Sequence, residues 1–449
     1  MCGCGSSKSP GAPAGAAGTG SGASGANTSG GAPGSGGASS AAGAGSGGTS
    51  SGTGGADTAG TGGTLNPIDL CDGLITDREP HPMTPLTKPA LGEAVTDAEF
   101  GTTLRRISEV SGGDGSPAIR PLYSTVAAWN ADESRLILLD VEGGTHRLYD
   151  GKTYASMGPL DISPADVEQV YWHTSDPDIL FYVHGVAFVR YHVATKKKEV
   201  LTEFGFCDEN ASGGSDPMFT SFDSKRIGLH CGDQVFIYDI AENKVLGRQT
   251  LDENPAQVAP SGTLAFRSDA GHVTDLDLKV LRTLDLKEPW GHASMGRWPT
   301  GEDTWNGQVF DEGPNGNDDI GSLVTWDLTR GDSKVIIGPK TGYPYPPDGH
   351  ISAMAWKRPG WVFVSTFGDT SGAGLLDMEM LIANTVSGKV CRVGRHRSWG
   401  KANQKLGEPY WAEPHTVPSP SGTRAVFASD WGNGSTVDTY VLELPAYRP

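Results

Sequence analysis

From about residue 100 to the C-terminus the chain repeats one phrase: a polar turn, an apolar run of strand length, then a second strand that ends on an aromatic residue and an aspartate. The turns read Asn130-Ala-Asp-Glu-Ser134, His173-Thr-Ser-Asp-Pro177, Phe222-Asp-Ser-Lys225, Pro260-Ser-Gly262 and Pro420-Ser-Gly422. The runs include Arg135-Leu-Ile-Leu-Leu-Asp140, Ile179-Leu-Phe-Tyr-Val183, Gln234-Val-Phe-Ile-Tyr-Asp239 and Gly360-Trp-Val-Phe-Val-Ser365. They are short and rich in β-branched and aromatic side chains, as strands are. No helical stripe of comparable strength accompanies them.

A recurrence every 35–50 residues or so is the spacing of propeller blades. Units fall at about 123–160, 167–204, 214–251, 255–286, 290–338, 348–394 and 412–446. The expected fold is therefore all-β, a seven-bladed propeller over residues 100–449. An unclosed ring presents an unpaired strand edge, so the last blade needs a strand from the N-terminal side. Thr102-Thr-Leu-Arg-Arg-Ile-Ser108 is the segment for that role. A sandwich of two sheets is the alternative, and so many repeats of one phrase count against it.

Ahead of the repeats, composition changes sharply. Residues 1–64 are nearly all Gly, Ser, Ala and Thr, and from Gly5 to Thr64 the charged side chains are Lys8 and Asp57. Such a segment buries too little apolar surface to offset its ordering entropy and is expected to be a disordered tether, with a reach of roughly 40–50 Å. Residues 65–99 carry Pro67, Pro80, Pro82, Pro85 and Pro89, which predicts an extended connector on the domain surface.

The net charge of −18 argues against nucleic acid or anionic lipid as a general partner. No apolar run is long enough to span a membrane as a helix. Met1-Cys-Gly-Cys-Gly-Ser-Ser7 is similar to the cleavage region of a bacterial lipoprotein, without the charged and apolar stretch that normally precedes it. That likeness implies a lipid on Cys4, with Cys2 the alternative, and a membrane association made only through this anchor. The expected location is the bacterial cell envelope; two incidental cysteines in a cytosolic protein are the opposing reading. Export permits disulfides among Cys71, Cys207, Cys231 and Cys391, and Cys207 with Cys231 is the first pairing expected.

Three histidines stand at equivalent places near the first strands of successive units: His292 in Trp290-Gly-His292, His350 in Asp348-Gly-His350 and His415 in Glu413-Pro-His415. First strands line a propeller's channel, so the three imidazoles are expected to meet near the axis. Imidazole with a carboxylate suits a divalent transition ion, and Glu413 stands two residues from His415. On a strand, that spacing points both side chains the same way. The opposing reading has each histidine capping its own blade. If an ion is shared, the nitrogens of His350 and His415 should lie about 3–4 Å apart. His146, His173 and His230 are read as structural, and Tyr343-Pro-Tyr-Pro-Pro347 as a rigid surface loop.

Over about Lys287 to Pro445 the chain resembles the oligogalacturonate lyases, seven-bladed propellers that cleave short uronate oligosaccharides by β-elimination with a manganese-type ion. The matching phrases are Gly291-His292, Asp311-Glu-Gly-Pro314, the Trp326 strand, His350 ahead of Trp361-Val-Phe-Val-Ser-Thr, Cys391-Arg-Val-Gly-Arg-His396-Arg-Ser-Trp399, Glu413-Pro-His415 and Val426-Phe-Ala-Ser-Asp430-Trp-Gly432. The resemblance implies that His292 is the proton-abstracting base, that His350, His415 and Glu413 hold the metal, and that manganese is the ion. Elimination removes a proton beside a carboxylate, which requires a cation to neutralise that carboxylate and a base near neutral pH. Arg395, Arg397 and Arg297 would hold further substrate carboxylates, His396 would be a further ligand or substrate contact, and Tyr410 a further substrate contact.

The chain also departs from the family: Glu413 replaces a histidine, Tyr410 stands for a glutamine ligand, Asn315 replaces a histidine, and the first four units match only in texture. Two functions follow as expectations. One is a monomeric, envelope-tethered, metal-dependent lyase acting on acidic oligosaccharides. The other is a non-catalytic propeller of the WD40 or TolB kind that recruits a protein partner, since propellers host both.

Overall fold

A computed structural model describes residues 69–110, 118–214, 220–251, 255–284, 286, 292–309, 321–344, 348–400, 409–432 and 434–448. The tether with Cys2 and Cys4, Trp290-Gly291, the 311–315 phrase and residues 345–347 of the Tyr-Pro loop lie outside these.

Seven antiparallel sheets follow one another along the chain, the expected propeller. The short polar turns start the strands as the sequence implies. The Asn130 side chain accepts from the backbone N–H of Arg135 at 2.9 Å, and Ser221 Oγ accepts from that of Arg226 at 3.0 Å. Such side-chain contacts end one strand and set the register of the next. Five of the first six blades have four strands, whereas blade three has three, Arg226–Cys231, Gln234–Asp239 and Lys244–Thr250. Its innermost place is taken by a single bridge between Ser212 and His230.

The ring closes as the edge-strand argument requires. Thr103–Arg106 pairs antiparallel with Asp438–Glu443, with Leu104 opposite Leu442 and both fully buried. Arg424 of blade seven reaches Glu133 of blade one at 2.7 Å, and Ala118 bridges Val437.

The connector does more than run over the surface. Ala94–Thr96 adds a fifth strand to blade seven, outside Thr103–Arg106. Leu70 and Cys71 are buried in the core between blades six and seven, and Cys71 is bonded to Cys391. Cys207 is bonded to Cys231, the pairing expected first. Arg392, Arg395 and Arg397, on and just beyond the outer strand Val390–Arg395, each donate to a connector carbonyl: those of Glu79, His81 and Thr84. A proline-rich segment cannot use many of its own N–H groups, so its carbonyls are what the propeller grips.

Candidate metal centre in the channel

The site is built from the inner ends of three blades. His350 lies in the inner strand Gly349–Ser352 of blade six, whereas His292 and His415 stand two residues ahead of the inner strands Ser294–Arg297 and Val417–Pro418. Gly349 is obligatory here, because a Cβ would meet the carbonyl oxygen of Ser365 at 2.1 Å. His292 and His415 have φ of 63° and 39°, left-handed values that cost a non-glycine residue free energy. Glu413 and His415 are therefore not strand neighbours as expected. A turn, with the Glu413 N–H on the carbonyl of Tyr410 at 3.0 Å and left-handed backbone at His415, brings their side chains together instead.

The rings follow one another, the first pair stacked and the second tilted. The His292 and His350 centroids are 4.5 Å apart, and those of His350 and His415 are 3.9 Å apart. Glu413 Oε2 lies 3.5 Å from His350 Nε2 and 3.3 Å from His415 Nε2. One ligand atom from each of His350, Glu413 and His415 fits within a 4.8 Å span. Two ligands about 2.1 Å from one ion lie roughly 3–4 Å apart, so a contraction of about 1 Å or less would close the set.

Burial shapes the chemistry. His350 and His415 are fully enclosed, and desolvation first, then the neighbouring cations, holds both imidazoles well below their ordinary pKa. They are neutral at pH 7, the form that binds metals. Both nitrogens of His350 lack a hydrogen-bond partner. A buried polar ring left in that state is costly unless something else completes it. Burial also pushes the Glu413 carboxyl up to about 7, against Arg120 and His292, which pull it down. Two neutral imidazoles and an uncomfortable carboxylate form a donor set that fits a divalent ion.

His292 is organised differently. Its Nδ1 lies 2.9 Å from the carbonyl oxygen of Gly349 and 3.1 Å from Asp348 Oδ1. A carbonyl only accepts, so Nδ1 carries the proton, and in the neutral ring Nε2 carries the lone pair.

Around the trio stand residues that sequence reasoning did not single out. Tyr123 packs edge-on against His350 and His415, at 5.7 and 5.0 Å. Arg120, on the inner strand Ile119–Arg120 of blade one, is fully buried and acts electrostatically on His350, His415 and Glu413. It donates to the carbonyls of Pro121 and Tyr410 at 3.1 and 3.3 Å, leaves Nη2 without a partner, and makes no ion pair among the described residues. The signal was present as a charged residue inside Ala118-Ile-Arg120-Pro-Leu, but it precedes the first repeat unit at residue 123.

The remaining expected site residues divide. Tyr410 packs edge-on against His415 at 5.0 Å, but its hydroxyl donates to Glu168 at 2.7 Å, and burial, then Glu168, raises its pKa far above the usual value. It acts as a wall of the site rather than as the replacement ligand. His396 engages both nitrogens, with Nε2 on the carbonyl of Thr366 at 2.9 Å and Nδ1 accepting from the Ser398 N–H, so neither is left for an ion. Arg395 pairs with Glu379 at 3.2 Å on the outer strand and is not brought to the histidines. Arg297, at the far end of its inner strand, donates to the Gly301 carbonyl at 3.0 Å. Arg397 holds the connector and lines a groove beside Trp399 and Trp431. His146, His173 and His230 bond to Val167, to the 173–176 turn and to Ser212.

No protein-family model matches the chain, and no curated protein matches it. Solved structures do. An oligogalacturonate lyase in complex with manganese aligns with a TM-score of 0.56 at 15% identity, covering 79% of this chain and 96% of that one. An oligogalacturonate lyase from Vibrio parahaemolyticus aligns with a TM-score of 0.57 at 14% identity over the same shares. At such identities the likeness establishes the fold.

Proposed function

We propose that this protein is a metal-dependent lyase that cleaves uronate-containing oligosaccharides by β-elimination at the mouth of its channel. The observation that carries the reading is the convergence of His350, Glu413 and His415 within 4.8 Å, with His292 stacked on His350 and holding its lone pair on Nε2. The fold shared with a manganese-bound oligogalacturonate lyase agrees with it.

In this reading His350, His415 and Glu413 hold a divalent transition ion, manganese by likeness. That ion would supply positive charge to a bound carboxylate and acidify the neighbouring C–H. Arg120 binds the same carboxylate through its unpartnered Nη2, giving the buried guanidinium the anion that the protein itself does not provide. His292 Nε2 takes the proton from the carbon beside the carboxylate. The electron pair of that C–H bond becomes the ring double bond, the glycosidic C–O bond breaks, and the departing oxygen takes up a proton. Asp348 and the Gly349 carbonyl steady the imidazolium that forms, since both accept from Nδ1.

We further propose that the protein is exported and anchored by a lipid on Cys4, a setting compatible with the two disulfides. The test is elemental analysis of the purified chain, followed by ultraviolet assay of uronate oligomers for the unsaturated product. Stoichiometric metal, lost in His350→Ala and His415→Ala, together with new absorbance is the expected result. A chain that binds no divalent ion between about pH 6 and 8, where free imidazole becomes neutral, would return it to the class of non-catalytic scaffolds.

A further inference from the structure

We propose that the groove between the connector and blade seven, walled by Trp399 and Trp431 and headed by Arg397, is a second acidic-sugar subsite, which holds the part of a uronate oligomer extending beyond the histidine cluster. The assignment rests on the lyase reading for its direction but not for its chemistry.

The groove lies one side chain away from a cavity that reaches the candidate centre. A cavity of about 180 Å³ has Glu413 on its wall together with Phe367, Ser398 and Trp399. A second, of about 310 Å³, takes Trp399 as its own wall and adds Arg397, Trp431 and Leu86. Trp399 is thus common to both cavities, which places Glu413 and Arg397 on either side of one indole.

Arg397 is the group that points to a ligand. The residue is only 7% exposed, its Nε lacks a partner, and among the described residues its side chain donates from Nη1 to the Thr84 carbonyl at 2.8 Å. No carboxylate among the described residues comes within ion-pair distance of it. Asp97 and Glu99 act on it from beyond ion-pair distance, and a ligand carboxylate would add the paired hydrogen bonds of direct contact. The guanidinium carbon stands 5.7 Å from the Trp431 ring centre.

The backbone is strained at the same place. Arg397 and Trp431 have φ of 55° and 50°, and the Gly432 N–H donates to the Arg397 carbonyl at 2.7 Å, locking the two left-handed residues together. Strain of this kind collects at binding sites. The Trp431 indole is fixed by its donation to the Leu86 carbonyl at 3.0 Å. Tyr440 stacks on the Trp431 ring at 4.7 Å and Arg397 stands over it, so the apolar surface for a sugar comes from the Trp399 and Leu86 walls and the charge from the arginine; a uronate ring presents an apolar C–H face and a carboxylate.

The experiment measures binding of di- and tetragalacturonate to the full chain by calorimetry, and to His350→Ala so that the result does not depend on the metal. The expected result is that tetragalacturonate binds several-fold or more tightly than the dimer in both proteins, that neutral tetragalactose does not bind, and that Arg397→Gln and Trp399→Ala each abolish the tetramer's advantage. Trp399→Ala leaves the connector contacts of Arg397 in place, so it answers the question even if Arg397→Gln unfolds. Equal affinity for dimer and tetramer in the unmodified chain, or an advantage that survives both substitutions, overturns the subsite. Loss of the metal or of elimination with the tetramer's advantage intact would instead overturn the lyase reading alone.

Discussion

Glu413 Oε2 stands 3.3 Å from His415 Nε2, although the two residues are not on a strand and the chain between them turns through a left-handed His415. The same oxygen is 3.5 Å from His350 Nε2, so one carboxylate oxygen serves two blades. Removing it should separate charge from geometry. Glu413→Gln keeps the size and leaves the two imidazoles. Its affinity for Mn²⁺ should fall by at least roughly 10–100-fold, the loss seen even for outer groups that support a metal, while the melting temperature of the metal-free protein stays level or rises because a poorly solvated carboxylate is gone. Titration with Mn²⁺ followed by calorimetry reads the first, and thermal unfolding in chelator reads the second. Unchanged affinity would mean that Glu413 is no ligand.

Arg120 invites the opposite kind of substitution. Methionine keeps the unbranched stem without the charge, at a site enclosed by the Tyr410 and Trp411 rings at 5.1 and 5.4 Å. An arginine kept for stability would be missed. One kept for a ligand would not, because an unpaired buried cation opposes folding. Arg120→Met should therefore unfold at the same or a higher denaturant concentration, yet bind galacturonate at least tenfold more weakly, about 1.4 kcal/mol. A variant that loses stability and keeps its affinity would assign Arg120 to the frame of blade one.

The contrast between these two residues shows what the sequence made legible. The blades could be counted because five of them carry a recognisable polar turn ahead of a long apolar strand, and turn chemistry is local. The three histidines could be brought together because they occupy one register in successive repeats. Arg120 escaped because the inner strand of blade one is two residues long and is followed at once by Pro121, ahead of the first recognisable repeat. The grip of Arg392, Arg395 and Arg397 on the connector escaped for another reason. They bond backbone carbonyls of the connector, and a carbonyl carries no signature in the sequence.

The bond between Cys71 and Cys391 joins that connector to the outer strand of blade six across 320 residues, and Ile75 bridges Arg392 beside it. Cys71→Ser should lower stability by about 2–5 kcal/mol, the usual cost of losing a native disulfide. Limited proteolysis should then cut within residues 72–90 before it cuts the blades. The Cys207–Cys231 bond closes a shorter loop, of 24 residues, and its loss in Cys207→Ser should cost less. Denaturant midpoints rank the two, and the reverse order would mean that the connector docks without help from its disulfide.

His396 supplies a pH dependence whose sign can be worked out. Burial, only partly offset by the bond to the Thr366 carbonyl, lowers its pKa to about 4, whereas the unfolded chain holds it near 6.5. Between those values the unfolded state binds the proton and the folded state does not, so stability is complete above about pH 6.5 and declines as the pH falls towards 4. The full difference is on the order of 3 kcal/mol. His146, His350 and His415 are shifted in the same direction, also chiefly by burial, and steepen the fall. His396→Gln retains a donor for Thr366 and an acceptor for the Ser398 N–H but does not titrate. Urea midpoints at pH 7.5 and 5.0 should therefore differ by less in His396→Gln than in the unmodified protein, and equal differences would show that His396 stays neutral in both states or is charged in both.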